Sequence, residues 1–418
     1  MKTANRRSPE LSPLTRRSSL ADLALPASMV VSFLAASSAP TPLYATYAAE
    51  WHFSPLTTTL IFGVYAVVVL TSLLVLGRAS DHLGRRPVLL AALLAQIIAM
   101  VLFSTAGGVG ALVAGRVVQG IATGGALGTL GAAMLDVHRE HGTRANAAAP
   151  GLGSGIGALL SGVVVQYLPA PTRLVYLVFV GVFLLQALGV ARRLPETTGR
   201  RPGLRMALVP RLSLPRRLRS PLLAVAPVLF AVWSLGGFYG SLAPALTSRL
   251  SGSTSPVLGG LGLFVLAVVS AAATVALGGT TPRTVMYLGV ALLILSSLAT
   301  MLAAETSSLA GFFAATFVAG IGFGAGMQGG MRTVLPLVAE HERPQVLSVL
   351  YLICYLGMGL PAVAAGVLVV HGGGLAAATR DYALFVVAFA LATLIALLRI
   401  GRAARPECAS SPLCEGDA

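Results

Sequence analysis

The stretch Gly77-Arg78-Ala79-Ser80-Asp81-His82-Leu83-Gly84-Arg85-Arg86-Pro87 separates two long apolar runs, Ile61–Leu76 and Val88–Phe103. A run of about 18 to 25 apolar residues matches the hydrocarbon thickness of a bilayer when it is helical. Lipid offers no partner to a backbone amide, so a helix, which pairs its own amides, is the natural form of such a run. The residues between the two runs read as a short charged turn. Gly77 lets the first helix approach a neighbour closely, and Gly84 permits the turn to be tight.

Working outward, the same pattern recurs along the chain. Its 418 residues are 56% hydrophobic and only 10% charged, whereas a soluble domain carries about 25% charged residues. Twelve spans are read: Asp22–Tyr47, Leu56–Gly77, Pro87–Thr105, Val109–Leu135, Ala145–Leu168, Leu174–Arg192, Leu222–Leu246, Pro256–Leu277, Arg283–Ala304, Leu309–Val338, Pro344–Val370 and Tyr382–Ile400. The expected fold is an all-α polytopic membrane protein. The run that begins after Arg16-Arg17-Ser18-Ser19-Leu20 reads as an uncleaved first helix and not as a removed signal peptide.

The formal charge of +15 does not imply a nucleic-acid partner, because its placement follows topology. With both termini in the cytoplasm, only Arg173, Arg249 and Arg380 fall on external segments, as expected when cytoplasmic loops collect Arg and Lys. A bacterial inner-membrane location follows as an expectation. The basic, proline-containing stretch 193–221 is the long internal break. It divides the chain into a cytoplasmic tail (1–21), a first six-helix bundle (22–192), the linker (193–221), a second bundle (222–400) and a second tail (401–418). The three cysteines, Cys354, Cys408 and Cys414, have neither disulfide-framework nor metal-ligand spacing. No nucleophile–base pair or phosphate loop is present, so neither an enzyme nor a cofactor is expected.

The halves echo one another. Val118, Gly120, Ile121 and Gly124 recur as Val318, Gly320, Ile321 and Gly324, and Leu135 and Glu140 as Leu335 and Glu340. This is the signature of a duplicated six-helix unit. Thr172-Arg173 opens the sixth span, and Thr379-Arg380 is expected just ahead of the twelfth.

The loop quoted first resembles the signature loop of the major facilitator superfamily, Gly-x-x-x-Asp-Arg-x-Gly-Arg-Arg. The match is at Gly77, Asp81, Gly84, Arg85 and Arg86, and it departs at His82, where the family has Arg or Lys. The resemblance implies a secondary transporter with two pseudo-symmetric bundles. It also implies that Asp81 meets the positive N-terminal end of the eleventh span, here near Pro344. Arg85 and Arg86 are expected to pair with Glu340 or Glu342. Asp81 and Arg85 are read as a cytoplasmic latch that holds the outward-facing state. Leu194-Pro195-Glu196-Thr197, at the end of the sixth span, also resembles the family.

Arg116-Val117-Val118-Gln119-Gly120 resembles a second signature, Arg-x-x-Gln-Gly, which implies a role for the arginine in substrate or proton coupling. Its physical reading agrees. An arginine two turns inside an apolar span costs roughly 3 kcal/mol on the insertion scale, so it needs a partner or a wet cavity. Arg116, Gln119 and Thr123 share a helix face and are expected to line the central cavity. In the fifth span, Gly157-Ala158-x-x-Ser161-Gly162 stands where the superfamily's antiporters have Gly-Pro-x-x-Gly-Gly. The proline is absent, and close packing of small residues accounts for the stripe with or without antiport.

Further candidates for substrate contact are Tyr44, Trp233, Tyr239 and Gln328, with Arg332 nearby. Gly236-Gly237 is a candidate kink. Pro40 and Pro42 should disturb the outer end of the first span. All acidic residues fall at expected span ends, loops or tails, leaving Asp22 as the one candidate proton site, a position that a helix-start charge explains equally. The expected function is alternating-access transport of a small organic molecule, with efflux of amphipathic cargo favoured by few polar groups. Protons are an expected partner if transport is coupled, and the protein is expected to be a monomer. Alternatives are an uptake carrier or facilitator for a sugar, amino acid or organic acid, and a non-transporting membrane sensor.

Overall fold

A computed structural model of the chain describes residues 20–196, 202–210, 214–339 and 342–403. The regular structure of these residues is helical: α1 (Leu20–Ser38), α2 (Leu43–Trp51), α3 (Pro55–Leu76), α4 (Ser80–Leu83), α5 (Arg85–Ser104), α6 (Val109–Val137), α7 (Arg139–Tyr167), α8 (Pro171–Arg193), α9 (Leu204–Ala207), α10 (Arg216–Ser241), α11 (Ala243–Ser251), α12 (Pro256–Ala276), α13 (Pro282–Glu305), α14 (Leu309–Val334), α15 (Arg343–His371) and α16 (Gly374–Ala403). Twelve helical segments are long and apolar enough to cross a membrane, with α1 and α2 together forming the first. The start of α1, the end of α16 and the α3–α5, α6–α7 and α14–α15 turns share one side, called here the terminal face; the α7–α8 and α11–α12 turns lie on the far face.

Local chemistry explains where the helices begin. Ser54 and Ser255 each accept a backbone N–H one turn on, and each is followed by a proline at the first helical position. Both residues suit a helix start: the hydroxyl satisfies an orphan donor and proline has none to lose. Three starts differ clearly from the sequence reading. Helix α7 begins at Arg139, well ahead of the expected Ala145. Helix α10 begins at Arg216, inside the expected linker. Helix α16 begins at Gly374, so Thr379 and Arg380 lie within its first two turns and not ahead of it. Arg380 pairs with the neighbouring Asp381 on the exposed side, which lets a charged extra turn project beyond the apolar stretch.

Two cores form. One is drawn from residues between Leu23 and Leu194 and includes Phe33, Tyr47, Phe103, Tyr176 and Phe183. The other runs from Leu214 to Leu397 and takes in Ala158 from α7. The repeat seen in the sequence becomes equivalent packing. Gly120 and Gly124 of α6 lie against Val68, Val69 and Ser72 of α3, and Gly320 and Gly324 of α14 against Leu266, Val269 and Ser270 of α12. A side chain at any of these four would strike the neighbouring helix within 3 Å.

The halves meet along two seams, α3 with α15 and α7 with α12. Glycines again set the spacing: Gly63 abuts Val363, Gly359 abuts Ala66, and Gly366 abuts Thr59. On the other seam Gly155 abuts Phe264 and Ala267, Gly162 abuts Pro256, and Gly260 abuts Ala158. The small-residue stripe of α7 also serves a third helix, since Gly153 and Gly157 lie flush on the backbone of α1.

Candidate functional site

The first span is interrupted where the sequence places Pro40 and Pro42, between α1 and α2. Proline has no N–H, so Ala36 O loses its usual partner at residue 40. The break also redirects the N–H of Thr41 to Ser38 O and those of Leu43 and Tyr44 to Pro40 O. Three carbonyls, of Ala36, Ser37 and Ala39, are thereby left without helical partners. Side chains from two other helices supply them. Gln119 Nε2 donates to Ala36 O at 3.1 Å, Arg116 Nη1 to Ser37 O at 2.7 Å, and Ser161 Oγ to Ala39 O at 2.6 Å.

Arg116 does more than cap one carbonyl. Nη1 also donates to Gln119 Oε1 at 2.7 Å, and Nε and Nη2 donate to the Tyr44 hydroxyl at 3.0 and 2.7 Å. Ser37 belongs to α1 and Tyr44 to α2, so one guanidinium fork holds both sides of the break. The group is 1% exposed and sits over the rings of Tyr65, Tyr44 and Phe103 at 5.0, 5.8 and 5.8 Å. No ion pair to it is found among the described residues. Neutral dipoles and aromatic faces carry the whole solvation of this charge.

The expected cavity-lining stripe is therefore revised. Arg116, Gln119 and Thr123 share a face, but it turns inward to α1, α3 and α5. Thr123 accepts from Gln96 Nε2 of α5 at 3.1 Å. The inward turn follows from the demand of the broken helix for donors. Tyr239 likewise lies inside the second bundle, its hydroxyl 2.8 Å from Thr316 Oγ1. Gln328 donates to Thr274 O near the terminal-face end of α12, and Arg332 to Leu277 O. Helix α10 runs unbroken through Gly236 and Gly237, which serve packing; the interruption falls at Leu242, ahead of Pro244.

Trp233 lies at the seam. Its ring is 4.9 Å from that of Tyr355, at 54°, and it packs into a cluster with Tyr65, Leu70, Tyr351 and Tyr355. Arg116, over the ring of Tyr65, continues this aromatic path into the first bundle. Tyr65, Tyr351 and Tyr355 were not among the sequence candidates. The i, i+4 spacing of Tyr351 and Tyr355 on an apolar helix was the available signal.

On the terminal face, Arg85 Nε pairs with Asp136 at 2.7 Å, and its Nη1 lies 3.9 Å from Asp81. The expected partners are corrected here: Glu342 pairs with Arg217, Glu340 lies outside the described residues, and the Arg86 guanidinium donates to Ala191 O. Glu196 occupies the start of α5, accepting from Arg85 N at 2.7 Å and Arg86 N at 3.1 Å. A carboxylate suits a helix N-terminus, and it seats against Gly84, whose φ of +99° and ψ of 152° are open essentially to glycine. His82 Nδ1 lies 3.2 Å from Pro202 O. Gly77 lies against the carbonyl of Leu73 in its own helix, and its own carbonyl faces Gly128 of α6. Asp81 is 57% exposed, and its one ion-pair partner among the described residues is Arg85, not a group of α15. Asp22 is exposed in the first turn of α1.

Among the described residues, two side-chain hydrogen bonds join the halves on the far face. Thr41 Oγ1 donates to Gly240 O at 3.4 Å, and Ser255 Oγ to Gln166 Oε1 at 2.6 Å. No ion pair joins the halves on the terminal face among the described residues.

Twelve spans in two packed halves, a broken first helix and a polar device at the break define a polytopic membrane transporter. The family model of the Major Facilitator Superfamily matches residues 27–304. The chain belongs to that superfamily, and it is a transporter of small molecules and not an enzyme. No curated protein matches it. Among solved structures it is similar to a bacterial homologue of the human lysosomal transporter Spinster in an inward-facing and occupied conformation, with a TM-score of 0.70 and 16% identity over 92% of this chain and 96% of that one. The inward-facing, unoccupied structure of such a homologue gives 0.69 and 15% over the same shares. At such identity the likeness is one of fold.

Proposed function

We propose that this chain exports a small amphipathic organic molecule across a bacterial cytoplasmic membrane by alternating access, as a monomer, from a site at the aromatic seam between its halves. The observation that carries this reading is the cluster of Tyr65, Trp233, Tyr351 and Tyr355 where α3, α10 and α15 meet. Sugar recognition needs many convergent hydrogen-bonding groups, and the seam offers few; an apolar aromatic lining suits amphipathic cargo. The terminal face is taken as cytoplasmic because it carries most of the arginines. The two hydrogen bonds that join the halves on the far face support an inward-facing conformation, like that of the Spinster homologue. The exposure of Asp81 fits a latch of Gly77, Asp81, Gly84, Arg85 and Arg86 that engages in the opposite state.

Proton coupling has only a rim carboxylate to draw on. No described acidic residue sits at mid-span, and Asp22 lies at the rim, where the helix dipole favours a negative charge. Flux of amphipathic dyes into everted vesicles, with and without an imposed pH gradient, tests both points. Accumulation in everted vesicles is the expected result. Uptake confined to right-side-out vesicles would overturn export, and indifference to the gradient would remove protons from the cycle.

A further inference from the structure

Resting on the seam as the transport site, we infer that its cargo is a planar aromatic molecule that carries a hydrogen-bond acceptor and is neutral or anionic, and that organic cations are rejected. Three independent features of the seam lead there. First, its walls are flat and aromatic, from Tyr65, Trp233, Tyr351 and Tyr355; offset or edge contact with another ring is the favoured use of such walls.

Second, the indole N–H of Trp233 is buried and meets no acceptor among the described residues. Tryptophan has a donor and nothing else. A buried donor without a partner is penalised, so a ligand that brings an acceptor relieves the penalty and one that brings only N–H groups does not.

Third, the nearest full charge is positive. Arg116 lies 5.0 Å from the centre of the Tyr65 ring, no carboxylate pairs with it, and no described acidic residue lies at mid-span. In a medium of low polarity, one unit charge acting on another about 10 Å away changes binding about tenfold.

The two tryptophans of the chain are Trp51 and Trp233. Trp51 stacks on Tyr47 at the end of α2, away from the seam, so Trp51→Phe leaves Trp233 as the sole indole reporter. The purified variant in nanodiscs is titrated with three matched probes: biphenyl-4-acetate, biphenyl-4-acetamide and biphenyl-4-ylmethylammonium. The expected result is that acetate and amide perturb Trp233 emission, with the neutral amide binding about tenfold and the acetate about a hundredfold more tightly than the ammonium. Adding Arg116→Gln should narrow the acetate-to-ammonium ratio toward unity while the amide is held. Ammonium binding as tight as acetate overturns the inference, and so does silence of Trp233 toward all three at millimolar concentration. The comparison of probes needs no substitution at Arg116, so the charge preference is still measured if the Arg116 variant misfolds. Proteoliposome flux of the same probes separates this inference from the reading beneath it. Ordered binding with no flux would sink transport alone, whereas efficient flux of the ammonium would sink the charge preference alone.

Discussion

Replacing Arg116 with lysine keeps the buried charge and removes the fork. The guanidinium reaches Ser37 O on one side of the helix break and the Tyr44 hydroxyl on the other, with Gln119 Oε1 beside it. An ammonium is a single point on a flexible stem, so it can serve one side of the break and must abandon the other. The group left behind is a buried carbonyl or hydroxyl with no water to turn to. Such a loss costs about 1–3 kcal/mol, and a hydrogen bond to a charged group is worth about 1.5–3 kcal/mol. Arg116→Lys should therefore make opening of the break easier by about 2–4 kcal/mol. Hydrogen–deuterium exchange on the protein in nanodiscs reads this directly: amides at residues 39, 41, 43 and 44 should exchange roughly thirty- to a thousandfold faster, at about 1.4 kcal/mol per tenfold. Arg116→Met should loosen the same amides, because it strands the same carbonyl. If Arg116→Lys exchanges like the parent, charge alone explains the arginine and the staple is refuted.

Other outcomes follow from single contacts. A Cβ built on Gly359 falls 3.3 Å from Ala66 Cβ, near the separation a disulfide requires. In a background free of the three natural cysteines, Ala66→Cys with Gly359→Cys should form a bond under mild oxidation that stops transport until it is reduced; continued transport while cross-linked would show that the α3–α15 seam does not move. Gly84→Val combines a glycine-only backbone conformation with collision against Glu196; thermal unfolding should show a loss of about 2 kcal/mol or more, where an unchanged midpoint refutes the Glu196 seat. Asp81→Asn breaks a long, exposed ion pair worth at most about 1 kcal/mol, so stability should hold while the transport rate falls. Normal transport at equal membrane abundance would remove the latch.

Much of the fold was legible because it is local. Apolar runs of bilayer length, prolines and serines at helix starts, and glycines at matched positions are properties of neighbouring residues. They placed the twelve spans, the break at Pro40 and Pro42, and the repeat that becomes the α6–α3 and α14–α12 contacts. The last span shows the limit: its polar opening, with Thr379, Arg380 and Asp381, read as a loop because exposed helical turns lack an apolar period.

The site was less legible because its partners are distant in the chain and are mainly backbone. Pro40 signals that Ala36 O loses its bond, but not that Gln119 replaces it. The sequence marked Arg116 as an arginine in need of company; only the packing of α6 against α1 and α2 decided that the company is a carbonyl and a hydroxyl across a helix break. Likewise, tyrosines on separate spans carry no sign that they will share a seam with Trp233. By itself, then, the sequence determined a helical membrane protein built from a doubled unit, because run length and hydrophobicity act residue by residue. The tertiary structure decided which faces meet, because glycine contacts and buried hydrogen bonds exist only once distant helices are brought together.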